Sequence, residues 1–235
     1  MKFLYMIKAV AIDIDGTLTD ADRKLDLGAV EKVRELEKRD IPVILATGNV
    51  LCITEAASFF IGTSGPLIAE NGGIVTYPKT GEILCSGDIV KANSAFDALN
   101  KTLNVRKILG SERRVTEIAI YRDVPVEEVK GILAKFDVSV VDTKYAIHIK
   151  DSTVNKGEGI LKAAKMLKID ASEIAAIGDS EGDREMLQMA GYSISISEEG
   201  LRDVSDHITK ASLGKGGREA IEHLLSNKRL FEYLL

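Results

Sequence analysis

Short apolar runs alternate with amphipathic stretches along the first third of the chain, and this alternation is typical of α/β proteins. An apolar strand is predicted at residues 10–13. A stretch with apolar residues at every third or fourth position then leads to a second strand, "IPVILAT", which ends at Thr47. This order predicts a β-α-β unit with two parallel strands. A helix over residues 51–60 and two short strands within "PLIAENGGIVTY" are predicted next.

The middle of the chain has a different pattern. Helices are predicted at 91–103 and 125–136, and antiparallel strands with one solvated face are predicted at 116–121, 138–142 and 145–149. The α/β pattern then returns, with helices at 157–167, through 186–189 and at 217–225, and with strands at 173–179 and 192–195. We therefore predict a discontinuous α/β core formed by residues 1–81 and 153–235, with one parallel sheet flanked by helices. Residues 82–152 are predicted to form an inserted α+β domain.

Composition and charge narrow the class of protein. The chain has 235 residues, of which 45% are apolar and 29% charged, so it can bury a sizeable core. Its net charge of −5 and its scattered basic residues argue against nucleic acid or an anionic membrane as a partner. Cys52 and Cys85 form no CxxC pattern and are expected to be small buried side chains in a reducing compartment, with a regulatory disulfide as the alternative. Since the sequence shows neither a signal peptide nor an apolar run of membrane length, a cytoplasmic protein is expected.

Acidic residues lie at the ends of two predicted strands, and ligands of parallel sheets bind at such carboxyl ends. Asp13 and Asp15 are two positions apart on one strand, so their side chains would share a face and repel each other. Asp179 and Asp183 lie at the end of the strand at 173–179 and just beyond it. Each of these residues alone is also a common turn or helix-capping residue. Together they predict a site for Mg²⁺, a hard cation that prefers oxygen ligands and often binds a substrate phosphate as well.

Two further element ends carry groups that bind phosphate oxygens. Thr47 ends the second strand in "LATGN", and Lys156 opens a helix in "VNKGEG". Taken singly, Thr47-Gly48-Asn49 is an ordinary turn, and a lysine at the start of a helix is usually solvated. Beside a bound cation, these groups instead predict a site for a small phosphorylated metabolite.

The motifs in this order resemble those of the haloacid dehalogenase (HAD) superfamily of phosphotransferases. Its first motif, DxDGT, is matched by residues 13–17, and its other three are matched by Thr47, by Lys156 and by the pair Asp179 and Asp183. The resemblance implies a Rossmann-like core and, because the insertion follows motif two, a cap domain of the C2B type. "TGN" and "AENGG" are similar to the Cof-type branch and its archaeal phosphoglycolate phosphatases. Gly182 departs from that branch, which commonly has Asn there.

The resemblance also implies a role for each matched residue. Asp13 is expected to be the nucleophile that forms an aspartyl-phosphate, and Asp15 the general acid and base, with its backbone carbonyl rather than its carboxylate touching Mg²⁺. Asp183 is expected either to bind the metal through water or to orient Lys156. The expected phosphate-binding residues are Thr47, Gly48, Asn49 and Lys156. The expected metal-binding residues are Asp13, Asp15, Asp179 and Asp183.

The leading hypothesis is a Mg²⁺-dependent phosphatase of a small phosphate monoester, with 2-phosphoglycolate as the first candidate. A sugar-phosphate phosphatase is the close alternative, and a receiver-like phosphoacceptor module is the alternative from another class. The inserted domain is expected to select the ester by closing over the site. Its candidate contacts for a substrate carboxylate are Arg122, Lys144, His148 and Lys150, which could equally be solvated. A homodimer is possible, and the terminal "KRLFEYLL" is expected to pack on its own chain.

Overall fold

The computed structural model describes residues 6–143, 145–197 and 199–231, and they form two compact units. The core unit contains the described residues up to Leu84 and those from Lys156 onward. The inserted unit is Cys85–Asn155. The sequence-based prediction puts the two junctions after residues 81 and 152, slightly earlier than the junctions after Leu84 and Asn155.

An eight-stranded sheet forms the centre of the core unit. Its strands, numbered in chain order together with those of the inserted unit, are β1 (Ala9–Asp13), β2 (Val43–Ala46), β3 (Leu67–Ala69), β4 (Ile74–Tyr77), β5 (Glu82–Cys85), β9 (Ile174–Gly178), β10 (Tyr192–Ser195) and β11 (His207–Ile208). The spatial order is β11-β10-β9-β1-β2-β3-β4-β5. The pairs from β11 to β3 are parallel, and β3 pairs antiparallel with β4. The predicted parallel sheet shared by both outer parts of the chain is confirmed.

Helices cover both faces of this sheet. They are α1 (Leu27–Glu37), α2 (Leu51–Ile61), α5 (Lys156–Leu167), α6 (Arg184–Met189) and α7 (Leu213–Ser226). Successive residues of a strand point to opposite faces, so Val10 and Ile12 of β1 join the apolar cluster under α1 and α7. Ala9 and Ala11 join the cluster under α5 and α6. Burial on both faces explains why the parallel strands are apolar throughout and carry their polar residues only at the ends.

The strand register brings the predicted polar strand ends side by side. Asp13 pairs with Ala46, the residue before Thr47, across the β1–β2 ladder. Ile12 pairs with Ile177 on the other side, so Asp179 follows the strand that lies next to Asp13. Because all three strands run parallel, these residues reach the same edge of the sheet.

Helix α7 begins a turn earlier than predicted. The sequence predicts a helix at 217–225, and Gly214 and Gly216, two residues with low helix propensity, lie just before it. In the structure the helix begins at Leu213 and includes both of these glycines as well as Gly217. A Cβ on Gly217 would lie 1.9 Å from the carbonyl oxygen of Thr17, so only glycine allows α7 to pack this closely against the loop after β1.

The inserted unit is a small α+β layer, as predicted for a cap domain. Its strands are β6 (Glu117–Ile120), β7 (Val138–Asp142) and β8 (Ile147–Asp151), and its helices are α3 (Ile89–Leu103) and α4 (Val126–Leu133). The strands form an antiparallel sheet in the order β6-β8-β7. Ile118 and Ile120 of β6 and Ile147 and Ile149 of β8 pack with α3 and α4 in one apolar cluster.

The prediction of a solvated face on this small sheet is wrong for its polar residues. Glu117, His148 and Lys150 lie on the face opposite the apolar cluster, and all three are buried. Burial is tolerated because each has a polar partner: Nδ1 of His148 lies 2.7 Å from Oε1 of Glu117, and Nζ of Lys150 donates to the Val154 carbonyl. Arg122 pairs with Asp142 at 2.7 Å. Lys144 lies outside the described residues.

Both cysteines are exposed and free, so the prediction that they are buried is wrong. Helix α2 buries Thr54, Ser58 and Ile61, and Cys52 lies off that face. Cys85 ends β5, the edge strand, of which every residue is exposed.

Within the described parts of the chain, no helix is long and apolar enough to cross a membrane. Of the terminal segment, Leu230 is buried against the core unit, whereas residues 232–235 lie outside the description.

Candidate active site

A glycine in the loop after β1 leaves room for the Asp179 side chain. Gly16, three residues after Asp13, has φ +94°, a conformation that glycine adopts readily and other residues rarely do. A Cβ at Gly16 would lie 2.2 Å from Oδ2 of Asp179. Two physical requirements therefore explain the glycine of the DxDGT motif. The turn requires its backbone conformation, and the side chain of Asp179, which follows β9, requires the space.

Lys156 connects two of the acidic residues. Its Nζ donates to Oδ1 of Asp13 at 2.6 Å and to Oδ1 of Asp183 at 2.7 Å, and all three side chains are buried. Burial alone would lower the pKa of Lys156, but the charges of Asp13 and Asp183 and their hydrogen bonds raise it above its usual value. Lys156 is therefore a fixed positive charge rather than a proton carrier.

Asp183 is held through both of its carboxylate oxygens. Oδ1 accepts from Lys156, and Oδ2 accepts from the backbone N–H groups of Asp179 and Ser180 and from the Ser180 hydroxyl, each at 3.1 Å. The contact with Lys156 favours the second of its two expected roles, the orientation of Lys156, and the other contacts also hold the backbone at Asp179. Gly182 lies one residue before Asp183, in the short 3₁₀ turn of residues 181–183, and the contacts of Asp183 form without the usual Asn.

Negative charge exceeds positive charge at this buried position. Asp13, Asp179 and Asp183 each place one carboxylate oxygen within 4.8 Å of the others, and Lys156 supplies one positive charge in contact with Asp13 and Asp183. The pKa of Asp13 is well above its usual value, first because of burial and then because of the Asp183 and Asp179 charges, against the opposing effect of Lys156. Among the described residues, Oδ2 of Asp13 has no hydrogen-bond partner.

These features fit a divalent hard cation. Three carboxylates around one point are the donor set that Mg²⁺ prefers, and a cation would offset both the repulsion and the burial of their charges. The carboxylate of Asp15 is not a member of this group within the described parts of the chain. Asp13 and Asp179 are the residues best suited to direct contact with a metal ion, because Asp183 already has a partner on each oxygen.

Thr47, Gly48 and Asn49 form the loop after β2, at the same sheet edge. Thr47 is fully buried, and its hydroxyl accepts from the backbone N–H and from the side-chain amide of Asn49, each at 3.0 Å. The "AENGG" segment supports this loop, because the N–H of Glu70 donates to the Asn49 carbonyl and that of Asn71 donates to the Thr47 carbonyl. Gly48 lies between the two, half-buried.

The carboxylate of Asp15 has a partner that sequence reasoning missed. Nε of Arg23 donates to Oδ1 of Asp15 at 2.7 Å, and Nδ2 of Asn49 donates to Oδ2 at 2.6 Å. The only sequence signal for Arg23 is its place in the polar turn "TDADRK", eight residues after Asp15. Such a turn ordinarily predicts a solvated arginine, so its contact depends on the turn conformation.

Comparison with known proteins defines the class. The family model of haloacid dehalogenase-like hydrolases matches residues 10–99 and 91–216. The chain belongs to this family and is a phosphoric monoester hydrolase; the receiver-like alternative is thereby set aside.

Two curated relatives and one solved structure illustrate the similarity. Phosphoglycolate phosphatase of Methanosarcina mazei is 45% identical over 231 residues, which cover 97% of this chain and 99% of the relative. Phosphoglycolate phosphatase of Methanothermobacter thermautotrophicus is 42% identical over 221 residues, covering 93% and 99%. A crystal structure from Thermoplasma acidophilum is 28% identical, with a TM-score of 0.85, and the match covers 94% of this chain and 99% of that one.

Proposed function

We propose that this phosphatase hydrolyses 2-phosphoglycolate to glycolate and phosphate, with Mg²⁺ as cofactor and with an aspartyl-phosphate on Asp13 as intermediate. The observation that carries the proposal is Oδ2 of Asp13, a buried carboxylate oxygen with no hydrogen-bond partner among the described residues, beside Lys156 and two further aspartates. The names of the two curated relatives support the choice of ester.

In this proposal Asp13 attacks phosphorus and the bridging oxygen leaves. Lys156 fixes Asp13 through Oδ1, so Oδ2 remains available for the new bond to phosphorus. Asp15 gives a proton to the leaving alkoxide and then takes one from the water that attacks the aspartyl-phosphate. Phosphate is released, and both aspartates return to their starting forms.

The remaining site residues hold charge in place. Asp13 and Asp179 would bind Mg²⁺ through their carboxylates, Asp15 would add its backbone carbonyl, and Asp183 would act through Lys156 or through water. Mg²⁺ would supply positive charge that offsets the carboxylates and the phosphate oxygens. Lys156 and the loop of Thr47, Gly48 and Asn49 would hold phosphate oxygens, and the inserted unit would select the ester.

The test is phosphate release from a panel of esters that includes 2-phosphoglycolate, glycerol phosphate and hexose phosphates. We expect the highest kcat/KM for 2-phosphoglycolate, loss of activity with EDTA and recovery when Mg²⁺ is added back. A higher kcat/KM for hexose phosphates would replace this proposal with the sugar-phosphate alternative. Full activity after exhaustive metal removal would contradict the Mg²⁺ assignment.

The intermediate is tested by the Asp15→Asn variant. The amide cannot take up the proton of the attacking water, so the second step should slow, and a phosphoenzyme sensitive to hydroxylamine should accumulate. Asp13→Asn in the same experiment is the control, since it removes the nucleophile. Equal labelling of both variants would contradict Asp13 as the attachment site.

Location and assembly also remain proposals. We propose that the enzyme acts in the cytoplasm, and the free cysteines Cys52 and Cys85 are compatible with a reducing compartment. A homodimer stays a prediction, which sedimentation of the purified chain would decide.

A further inference from the structure

The turn that follows the DxDGT motif directs one arginine to the active site. In this turn, Oδ1 of Asp20 accepts from the backbone N–H groups of Asp22 and Lys24, each at 2.9 Å. Arg23 has φ +64°, a left-handed conformation that is uncommon for a residue with a side chain. Its guanidinium contacts Asp15, whereas the neighbouring Lys24 pairs with Asp22 at the surface. Adjacent basic residues in one turn therefore have different surroundings.

Three side chains form a closed ring at this position. Arg23 contacts Oδ1 of Asp15, Asn49 contacts Oδ2, and Nη2 of Arg23 donates to Oδ1 of Asn49 at 3.2 Å. Both carboxylate oxygens of Asp15 thus have a strong donor. Each oxygen of Asp15 is directed at one of these donors, so the side chain has to leave at least one of the two contacts when it turns toward the bridging oxygen of an ester.

The contact with Arg23 is the one that an anionic substrate would compete for. Guanidinium groups bind carboxylates through several parallel hydrogen bonds, and such charge-assisted bonds are about twice as strong as neutral ones. The Arg23 side chain is 44% exposed, so an incoming ligand can reach it, whereas Asn49 is also fixed by the buried Thr47. A carboxylate close to the bridging oxygen of the ester would lie beside Asp15 and so beside this guanidinium.

We propose that Arg23 is a specificity-determining residue that exchanges Asp15 for a carboxylate carried by the alcohol part of the substrate. The substrate class is phosphate monoesters with a carboxylate one or two carbons from the bridging oxygen. This inference rests on the proposed function in one respect, the assignment of Asp15 as the proton carrier. Arg23 thereby links recognition of the leaving group to the release of Asp15 for proton transfer.

The test uses two matched pairs of esters that differ in the carboxylate. These are 2-phosphoglycolate with 2-hydroxyethyl phosphate, and 3-phosphoglycerate with glycerol 3-phosphate. Each is assayed with the full-length wild type and with the Arg23→Gln, Arg23→Lys and Lys24→Gln variants at saturating Mg²⁺. Lys24→Gln is the matched control, because it removes the same charge from the neighbouring position of the same turn.

For Arg23→Gln we expect kcat/KM of the preferred carboxylate ester to fall about 30-fold, mainly through KM, because charge-assisted hydrogen bonds are lost. The partner ester without a carboxylate should keep its kcat/KM or gain activity, since it makes no such bonds and since Gln no longer holds Asp15. Arg23→Lys should recover part of the loss, because it keeps the charge but not the planar fork. Lys24→Gln should leave both esters within about 2-fold of wild type, as expected for an exposed pair.

The outcomes separate this inference from the proposed function. Equal losses on both members of a pair would overturn it, since Arg23 would then act only by holding Asp15. If the wild type prefers 2-phosphoglycolate and Arg23→Gln leaves unchanged the ratio of kcat/KM between the two members of the pair, the inference is also overturned. The proposed function would then stand. Preference for 3-phosphoglycerate with a ratio that depends on Arg23 would support it and reject 2-phosphoglycolate as the substrate. If the wild type prefers the esters without a carboxylate, both this inference and the proposed function are overturned.

Discussion

Each unit contains a buried group of charged side chains, and the two groups differ in how their charges balance. In the core unit, Lys156 is the positive charge in contact with Asp13 and Asp183, and Asp179 is close by. In the inserted unit, the single carboxylate of Glu117 is contacted by both Arg114 and His148.

A buried charge is tolerated when an opposite charge and hydrogen bonds accompany it. The Glu117 carboxylate in the inserted unit meets this condition, because Arg114 and His148 contact it. In the core unit, burial and then the negative charges of Asp183 and Asp179 raise the pKa of Asp13, although Lys156 opposes them. A buried carboxylate with too little positive charge around it, such as Asp13, is therefore expected to bind a cation, whereas Glu117, which positive side chains contact, is expected to support the structure of its unit.

The largest expected effect is that of Asp13→Asn. Phosphate release should fall by about a thousandfold or more, because the neutral amide is a poor nucleophile. In metal-free protein the same change should leave the free energy of unfolding unchanged or raise it, since it removes a charge that burial and two aspartates disfavour. Turnover and urea unfolding with EDTA measure the two effects. A variant that loses both activity and stability would show that Asp13 is structural.

Glu117→Gln should lower the free energy of unfolding, whereas Asp13→Asn should not. It removes the carboxylate charge that Arg114 and His148 contact, and loss of one partner from a buried ionic group costs about 3–5 kcal/mol. The matched control is Asp142→Asn, on the same sheet, which breaks the more exposed pair with Arg122 and should cost less than about 1 kcal/mol. Urea unfolding of the full-length variants measures the two losses. Similar losses for both variants would mean that the buried group is not a special support.

Gly217→Ala tests the close packing of α7 against the loop after β1. Its Cβ would meet the Thr17 carbonyl at 1.9 Å, so the loop that carries Asp15 has to move. Overpacking of this kind costs about 1–3 kcal/mol, and we also expect lower kcat. The matched control in the inserted unit is Gly131→Ala in α4, where no atom lies within 4 Å. That change should stabilise by about 0.5–1 kcal/mol, so a stabilising Gly217→Ala would contradict the packing argument.

The sequence predicts the strand ends of the core well because the information is local. Asp13 and Asp179 lie at the ends of apolar strands, and parallel pairing alone brings such ends to one edge. The position of Arg23 depends on a left-handed turn, and the burial of Glu117 depends on His148, which is distant in sequence. The start of α7 depends on a contact with Thr17 that no local pattern contains. Interactions between distant segments therefore account for what sequence reasoning missed.

A further effect concerns pH and another buried carboxylate of the inserted unit. Asp151 accepts from the backbone N–H and hydroxyl of Thr153 and from the Asp88 N–H, and it pairs with Lys91. Its pKa is lowered to about 2, first by the Thr153 backbone hydrogen bond. A lowered pKa in the folded state gives stability that is fully present above the unfolded value, near 4, and is lost as pH falls to about 2.

The free energy of unfolding of the wild type should therefore exceed that of Asp151→Asn by about 2 kcal/mol more at pH 5 than at pH 2. Urea unfolding at several pH values between these limits measures the difference. Asp137→Asn is the control, because Asp137 also pairs with Lys91 but is 64% exposed, so its charge is screened by solvent. A gap between the wild type and Asp151→Asn that does not change with pH would show that Asp151 stabilises the unit through its shape rather than through its charge.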